Sequence, residues 1–339
     1  MNNTKDFWRL LKDFFVIYLP KQRNYSIHTT NACHKTWNML IKYLNEEKNI
    51  SNAQINFGMF EPTIVLSFLD HMEIEKHWKI STRNQRLSCI RMFFEYAAMT
   101  EPMLYSVYAS LKSIPFKKDV NKTMTVDYLT ETAVSAIINA PDTTTRLGMR
   151  DNFFLALMYD VAARDCEMLS MKKSDLNIDN STLCLLGKGN KPRIVPVSKK
   201  TIELGKRYIA LFHAEEDAHM FYTIHRGSKT KMSDDNVARF LKKYAKQASE
   251  TVSINEKVHP HIIRKSRAMH LYRSGMPLAL LAEFLGHSDP QVTQIYAYAD
   301  TEMKREAIEK ASTRLDYSID AIPFWKGNED IIERLCRGY

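Results

Sequence analysis

Apolar residues recur at helical spacing from the first turns of the chain. Phe7, Leu10, Leu11, Phe14 and Phe15 fall on one side of a helix over residues 5–19, which Pro20 is expected to end. Ser26 offers a cap for a second helix with Trp37, Leu40, Ile41 and Leu44 as its apolar positions. A third is predicted over 61–73, with Pro62 in its first turn, and a fourth over 81–99, with Leu87, Ile90, Phe93, Phe94 and Ala97 for a core. Residues 111–126, LKSIPFKKDVNKTMTV, lose the period and carry a proline and four lysines. Helical patterning resumes at 131–138 and 149–163, the latter an apolar run stopping at Arg164, with a short piece at 167–171. Two β-like runs follow, 181–187 and 192–197, on either side of Lys188-Gly189-Asn190-Lys191, so a hairpin is expected with Lys188 at or beside its turn. Further helices are predicted over 201–212, 234–248, 261–274 and 278–285, from Asp289-Pro290 onward, and over 302–314 and 331–336. The fold class is mainly α, with a small β-sheet or hairpin in the second of two domains.

Length and charge sharpen that division. A chain of 339 residues is long enough for two domains that each bury a core. The net charge is +9, about +5 of it before residue 120 and about +4 after, so both domains are basic. That balance suits a polyanionic partner, because neutralising phosphates releases counterions. The polar sides of the second and fourth helices carry Thr30, Lys35, Arg83, Asn84, Arg86 and Arg91, the residue types that meet phosphate oxygens and base edges. Lys117 and Lys118 in the basic linker, Arg239 and Lys243 on the 234–248 helix, and Lys265 complete the candidate DNA contacts. A solvated basic face is the commoner explanation of such residues when they are taken helix by helix. Cys33, Cys89, Cys166, Cys184 and Cys336 are scattered without metal-ligand spacing and read as reduced thiols of a cytoplasmic protein. No stretch approaches the roughly 18 apolar residues of a membrane span, so no membrane partner is expected.

The chemistry concentrates in a few residues. His261 and Arg264 stand three apart near the start of one predicted helix, Gly286-His287 ends the next, and Tyr296 follows His287 by nine positions. Upstream lie A-A-R-D-C-E around Arg164 and G-K-G-N-K-P-R around Lys188. Singly, each has an ordinary reading: a helix-end arginine, a turn lysine, a core histidine, one of sixteen tyrosines. Their order and spacing resemble the tyrosine recombinase (lambda-integrase) family. The resemblance implies that Arg164 and Arg264 are an arginine pair, Lys188 the hairpin lysine, His261 and His287 the two histidine positions and Tyr296 the nucleophile. It also implies a core-binding, SAM-like domain over 1–110, a linker over 111–126, a catalytic domain over 127–315 and a tail over 316–339 that contacts a neighbouring protomer. The chain departs from the common pattern at Ala162-Ala163, where the family has Gly-Leu, and at Lys265, where it has His.

Residue chemistry points the same way. Two guanidiniums can grip a phosphodiester bidentately without losing charge, and a phenol of pKa near 10 needs a base or a strongly cationic site to attack at neutral pH. His261 is the candidate proton acceptor and His287 a donor to the phosphate; the resemblance assigns protonation of the departing 5′ oxygen to Lys188. Tyr298 lies two residues past Tyr296, about 200 degrees round a helix, so the two do not face one phosphate. No Walker loop or metal-binding carboxylate cluster is evident, and neither cofactor nor metal is expected. The expected activity is site-specific DNA cleavage and rejoining through a covalent 3′-phosphotyrosyl link. The expected partners are double-stranded DNA with specific sites, clamped between the domains, a homotetramer on two duplexes and accessory DNA-bending proteins, in a prokaryotic nucleoid. A mobile-element integrase or transposase is preferred to a chromosome-dimer resolvase; a type IB topoisomerase and a catalytically silent DNA-binding regulator are the alternatives.

Overall fold

Two units divide the chain, Met1–Lys122 and Thr123–Tyr339. The computed structural model describes residues 4–119, 126–187, 191–213, 219–225, 227–254, 257–287 and 289–299, and singly Arg305, Ile308, Glu329 and Glu333.

In the first unit α1 (Thr4–Asp13) buries Phe7, Leu10 and Leu11 and runs on into a π-helical stretch, Phe14–Gln22, with Pro20 inside it. The proline therefore does not end the helix as its position predicts. An α-helical proline collides with the carbonyl four residues back, whereas the wider winding bonds five residues back, as Arg23 N–H does to the Tyr18 carbonyl at 2.9 Å. Ser26 caps α2 (Ile27–Glu46) by accepting from the Thr29 N–H. Next come α3 (Pro62–Lys76), α4 (Ile80–Thr100) and α5 (Tyr105–Lys112). Phe7, Trp37, Phe57, Phe60, Phe93 and Phe94 interlock at the centre; Trp37 meets Phe93 edge-on at 4.8 Å between ring centroids. Leu111 and Ile114 are buried in this same core, and Asn84 bonds both the N–H and the carbonyl of Lys117. The lysine-rich segment thus begins packed on the first unit.

The second unit contains α6 (Glu131–Asn139), α7 (Arg146–Asp160), α8 (Asp165–Ser170), β1 (Leu176–Asn177), β2 (Thr182–Leu186), β3 (Pro192–Pro196) and α9 (Lys199–Phe212). After these come β4 (Tyr222–His225), β5 (Ser228–Lys231), α10 (Asp234–Ala248), α11 (Pro260–Arg273), α12 (Leu278–Leu285), a 3-10 turn Pro290–Thr293 and α13 (Gln294–Ala299). β1, β2 and β3 form an antiparallel sheet in that order, with Leu183 opposite Val195 and Leu185 opposite Arg193. Period two turns Leu183, Leu185 and Val195 into a core shared with Phe153, Phe154 and Leu157 of α7. β4 and β5 pair separately. α7 ends at Asp160, not 163: Ala162 takes φ +47, and Arg164 stands as the N-cap of α8 and does not close the helix before it. The predicted hairpin is present, but Lys188 at its turn lies outside the described residues, as do the 302–314 and 331–336 helices and the tail, save the four single residues above. Among the described residues no helix is long and apolar enough to cross a membrane, and no His, Cys, Asp and Glu group could hold a metal ion.

Candidate active site

The turn between α7 and α8 is built around a buried cation. Arg264, one turn into α11, is 1% exposed and donates from Nη1 to the Ala162 carbonyl and from Nη2 to the Leu285 carbonyl, both at 2.6 Å. The first carbonyl belongs to a left-handed alanine, a conformation costing roughly 1–2 kcal/mol for a residue with a Cβ. The second ends α12, where the helix dipole is negative. One side chain thereby fixes both the turn that presents Arg164 and the turn that presents His287. Burial, then the charges of Arg164 and Arg193, lower the Arg264 pKa to about 10, so the guanidinium stays charged at neutral pH.

Glu167 and Arg193 complete this frame, and neither was among the residues singled out from the sequence. Glu167 accepts from the Arg164 backbone N–H at 2.9 Å and from Arg164 Nη1 at 2.8 Å. Arg193 on β3 clasps the same carboxylate bidentately, Nη1 to Oε1 at 3.0 Å and Nη2 to Oε2 at 2.8 Å. Burial by itself would raise the Glu167 pKa; the bonds from Arg193 and Arg164 overcome it and hold the group at about 2. Arg193 also lies over Gly286, whose φ is +63: a Cβ there would come 3.0 Å from Arg193 Nη1 and 3.1 Å from its Cδ. A signal was available, since Arg193 shares strand parity with the buried Val195, and a charge on a core-facing position needs a partner.

His261 is exposed at the start of α11; lost hydration, then the charges of Lys265, Arg264, His259 and Arg164, lower its pKa. His287 is half-buried, and burial followed by Arg264, Arg164, His261 and Arg193 brings it down to about 4. Its Nδ1 lies 2.9 Å from Thr293 Oγ1. Tyr296 is 3% exposed in a small apolar cluster with Ala162, Ala268, Met269, Leu281 and Leu285. Burial raises the phenol pKa and Arg264 partly offsets it. Arg164, His261, Arg264 and His287 thus fall within one another's fields, with Tyr296 in that of Arg264. Such a cradle is electropositive and suited to a phosphate oxyanion.

Several candidate DNA contacts are instead engaged inside the first unit. Arg83 is 5% exposed and paired with Glu73 and Asp70; Arg86 donates to the Ala32 carbonyl and Thr36 Oγ1. Arg91 donates to the Leu111 and Ile114 carbonyls, and Asn84 and Lys117 bond each other, with Lys117 also on Glu73. Thr30 is buried with its hydroxyl on the Ser26 carbonyl. The polar side of α4 thus carries internal partners that helical spacing cannot show. Lys35 and Lys118 are exposed, and Lys265 is half-buried beside His261. Arg239 and Lys243, both exposed on α10, line a cavity of about 570 Å³ with Arg146, Arg150, Tyr222 and Tyr244.

Comparison with known proteins finds matches along most of the chain. The phage integrase family matches residues 127–303, and the N-terminal SAM-like domain of phage integrases matches residues 13–101. A Sinorhizobium fredii protein named as an integrase/recombinase is 31% identical over 306 residues, 89% of this chain and 91% of the relative. The tyrosine recombinase XerC of Thermodesulfovibrio yellowstonii is 28% identical over 305 residues, 88% of this chain and 94% of the relative. Among solved structures, the XerH site-specific recombinase bound to its difH substrate superposes with a TM-score of 0.67 at 18% identity, over 92% of this chain and 90% of the other. The Tn1549 transposon integrase in complex with transposon-end DNA gives 0.65 at 12% identity, over 89% and 99%. The chain belongs to the phage integrase family and is a tyrosine recombinase, an enzyme of site-specific DNA cleavage and rejoining.

Proposed function

We propose that Tyr296 is the nucleophile and that Arg164 and Arg264 hold the scissile phosphate. The phenolic oxygen attacks phosphorus and its proton passes to His261. The 3′ end of the cut strand becomes a phosphotyrosine, and the 5′ oxygen leaves with a proton from Lys188. His287 donates to a non-bridging oxygen. The covalent link conserves the energy of the broken bond, so the reverse attack by a 5′ hydroxyl rejoins the strand without ATP. What carries this reading is Arg264, which ties the Arg164 turn to the His287 turn while remaining charged beside Tyr296. Four protomers on two duplexes, exchanging segments after residue 316, fit strand exchange. Integration or excision of a mobile element is the preferred setting, in keeping with the integrase name of the Sinorhizobium relative. Lys35, Lys118, Arg239, Lys243 and Lys265 are the proposed contacts to DNA, with accessory bending proteins setting direction.

The test is adduct trapping on nicked duplexes drawn from DNA flanking the gene, resolved on a denaturing gel. Wild type and Tyr298→Phe form a covalent protein–DNA band and Tyr296→Phe forms none. An adduct with Tyr296→Phe removes the assignment.

A further inference from the structure

Thr293 is 1% exposed, and its Oγ1 lies 2.9 Å from Nδ1 of His287. It closes the 3-10 turn Pro290–Thr293, three residues before Tyr296. Among the described residues, the hydroxyl has no other hydrogen-bond partner. A buried hydroxyl whose proton lacks another acceptor is costly, so donating that proton to Nδ1 is the arrangement that satisfies both groups. The bond has a second consequence. A neutral imidazole carries one proton, and the nitrogen that holds it is decided by what its other nitrogen meets. Were Thr293 the acceptor, the proton would sit on Nδ1 and the Nε2 lone pair would face an incoming anionic phosphate.

We infer that Thr293 is a positioning residue which donates to Nδ1 of His287 and thereby keeps the imidazole proton on Nε2, where it meets the phosphate. The consequence for cleavage rests on the recombinase reading above; the tautomer does not. The same bond ties the His287 turn to the segment that carries the nucleophile. Phosphate recognition and tyrosine placement are then linked by one short contact.

Full-length protein labelled with ¹⁵N at histidine reports the tautomer directly through long-range ¹H–¹⁵N correlations. Wild-type His287 shows the Nε2–H pattern. Thr293→Val, which keeps shape and loses the hydroxyl, shows the Nδ1–H form or a mixture, and Thr293→Ser restores Nε2–H. In adduct formation Thr293→Val is slowed about tenfold, Thr293→Ser is near wild type, and Thr293→Val costs nothing further in a His287→Ala background. An Nδ1–H tautomer in the wild type overturns the proposal. So does an equal loss from Thr293→Val with and without His287, which marks mere packing. If no variant, wild type included, cleaves DNA, the recombinase reading fails while the spectra still decide the tautomer.

Discussion

Burial and the surrounding positive charges hold the His287 ring neutral far into acid, at about 4 against an ordinary 6.5. A histidine whose folded pKa is lowered contributes stability that is intact above its unfolded pKa and falls as pH drops from about 6.5 toward about 4, because the unfolded chain takes up the proton first. At pH near 5 the loss from this one ring is about 2 kcal/mol relative to pH near 7.5. Lowered values at His261 and His270 add losses of the same sign. Urea unfolding at the two pH values is expected to show wild type falling steeply and His287→Gln falling by about 2 kcal/mol less. An equal fall in both would mean that the ring titrates normally in the folded protein. The different settings of the two tyrosines were legible at this scale: a two-residue step turns a helix by about 200 degrees, and Tyr296 is buried where Tyr298 is 53% exposed. The protonation state was not legible, since it depends on cations brought together from α8, β3 and α11.

At the scale of elements, the site is a junction of α8, β3, α11 and the turn after α12, and the Glu167–Arg193 pair is the joint between helix and sheet. Both side chains are largely out of water, 3% and 12% exposed, so removing one partner leaves a poorly solvated charge. Arg193→Met is expected to lower the unfolding free energy by about 3 kcal/mol and to move acid unfolding to higher pH, as Glu167 loses the bonds that hold it at about 2. A depressed carboxylate pKa contributes stability above its unfolded value of about 4.5, lost as pH falls through the folded one, and the variant narrows that window from below. An acid-unfolding midpoint identical to wild type would show that Arg164 suffices. The long helices were legible because their apolar periods extend over several turns and their caps are explicit, as with Ser26. What the pattern hid has local causes: a two-residue strand such as β1 has no period to read, and β5 is wholly polar. The π-helical passage through Pro20 contradicts the usual meaning of proline. Arg164 begins a helix because Ala162 turns left-handed, which an alanine does not advertise.

The whole molecule carries a net charge of +9, yet its cations divide into those holding the protein together and those left to meet a polyanion. Helical spacing placed Arg83 and Lys35 alike on polar faces of the first unit; the fold separates them. Arg83 is buried against Glu73 and Asp70 on α3, whereas Lys35 is exposed on α2. Acidic partners on a neighbouring helix are invisible to a pattern read one helix at a time. Counterion release counts only cations that reach phosphates, each adding about one to the slope of log affinity against log salt. Lys35→Ala is therefore expected to weaken DNA binding to a similar degree across sequences and to reduce that slope by about one, with unfolding unchanged. Arg83→Met is expected to leave the slope alone and lower the stability of the first unit, since it strands Glu73 with Lys117 as its remaining cation. Fluorescence anisotropy over a salt series, paired with urea unfolding, separates the two effects. A slope change with Arg83→Met and none with Lys35→Ala would reverse the division, and the DNA-facing side of the first unit would have to be sought away from α2.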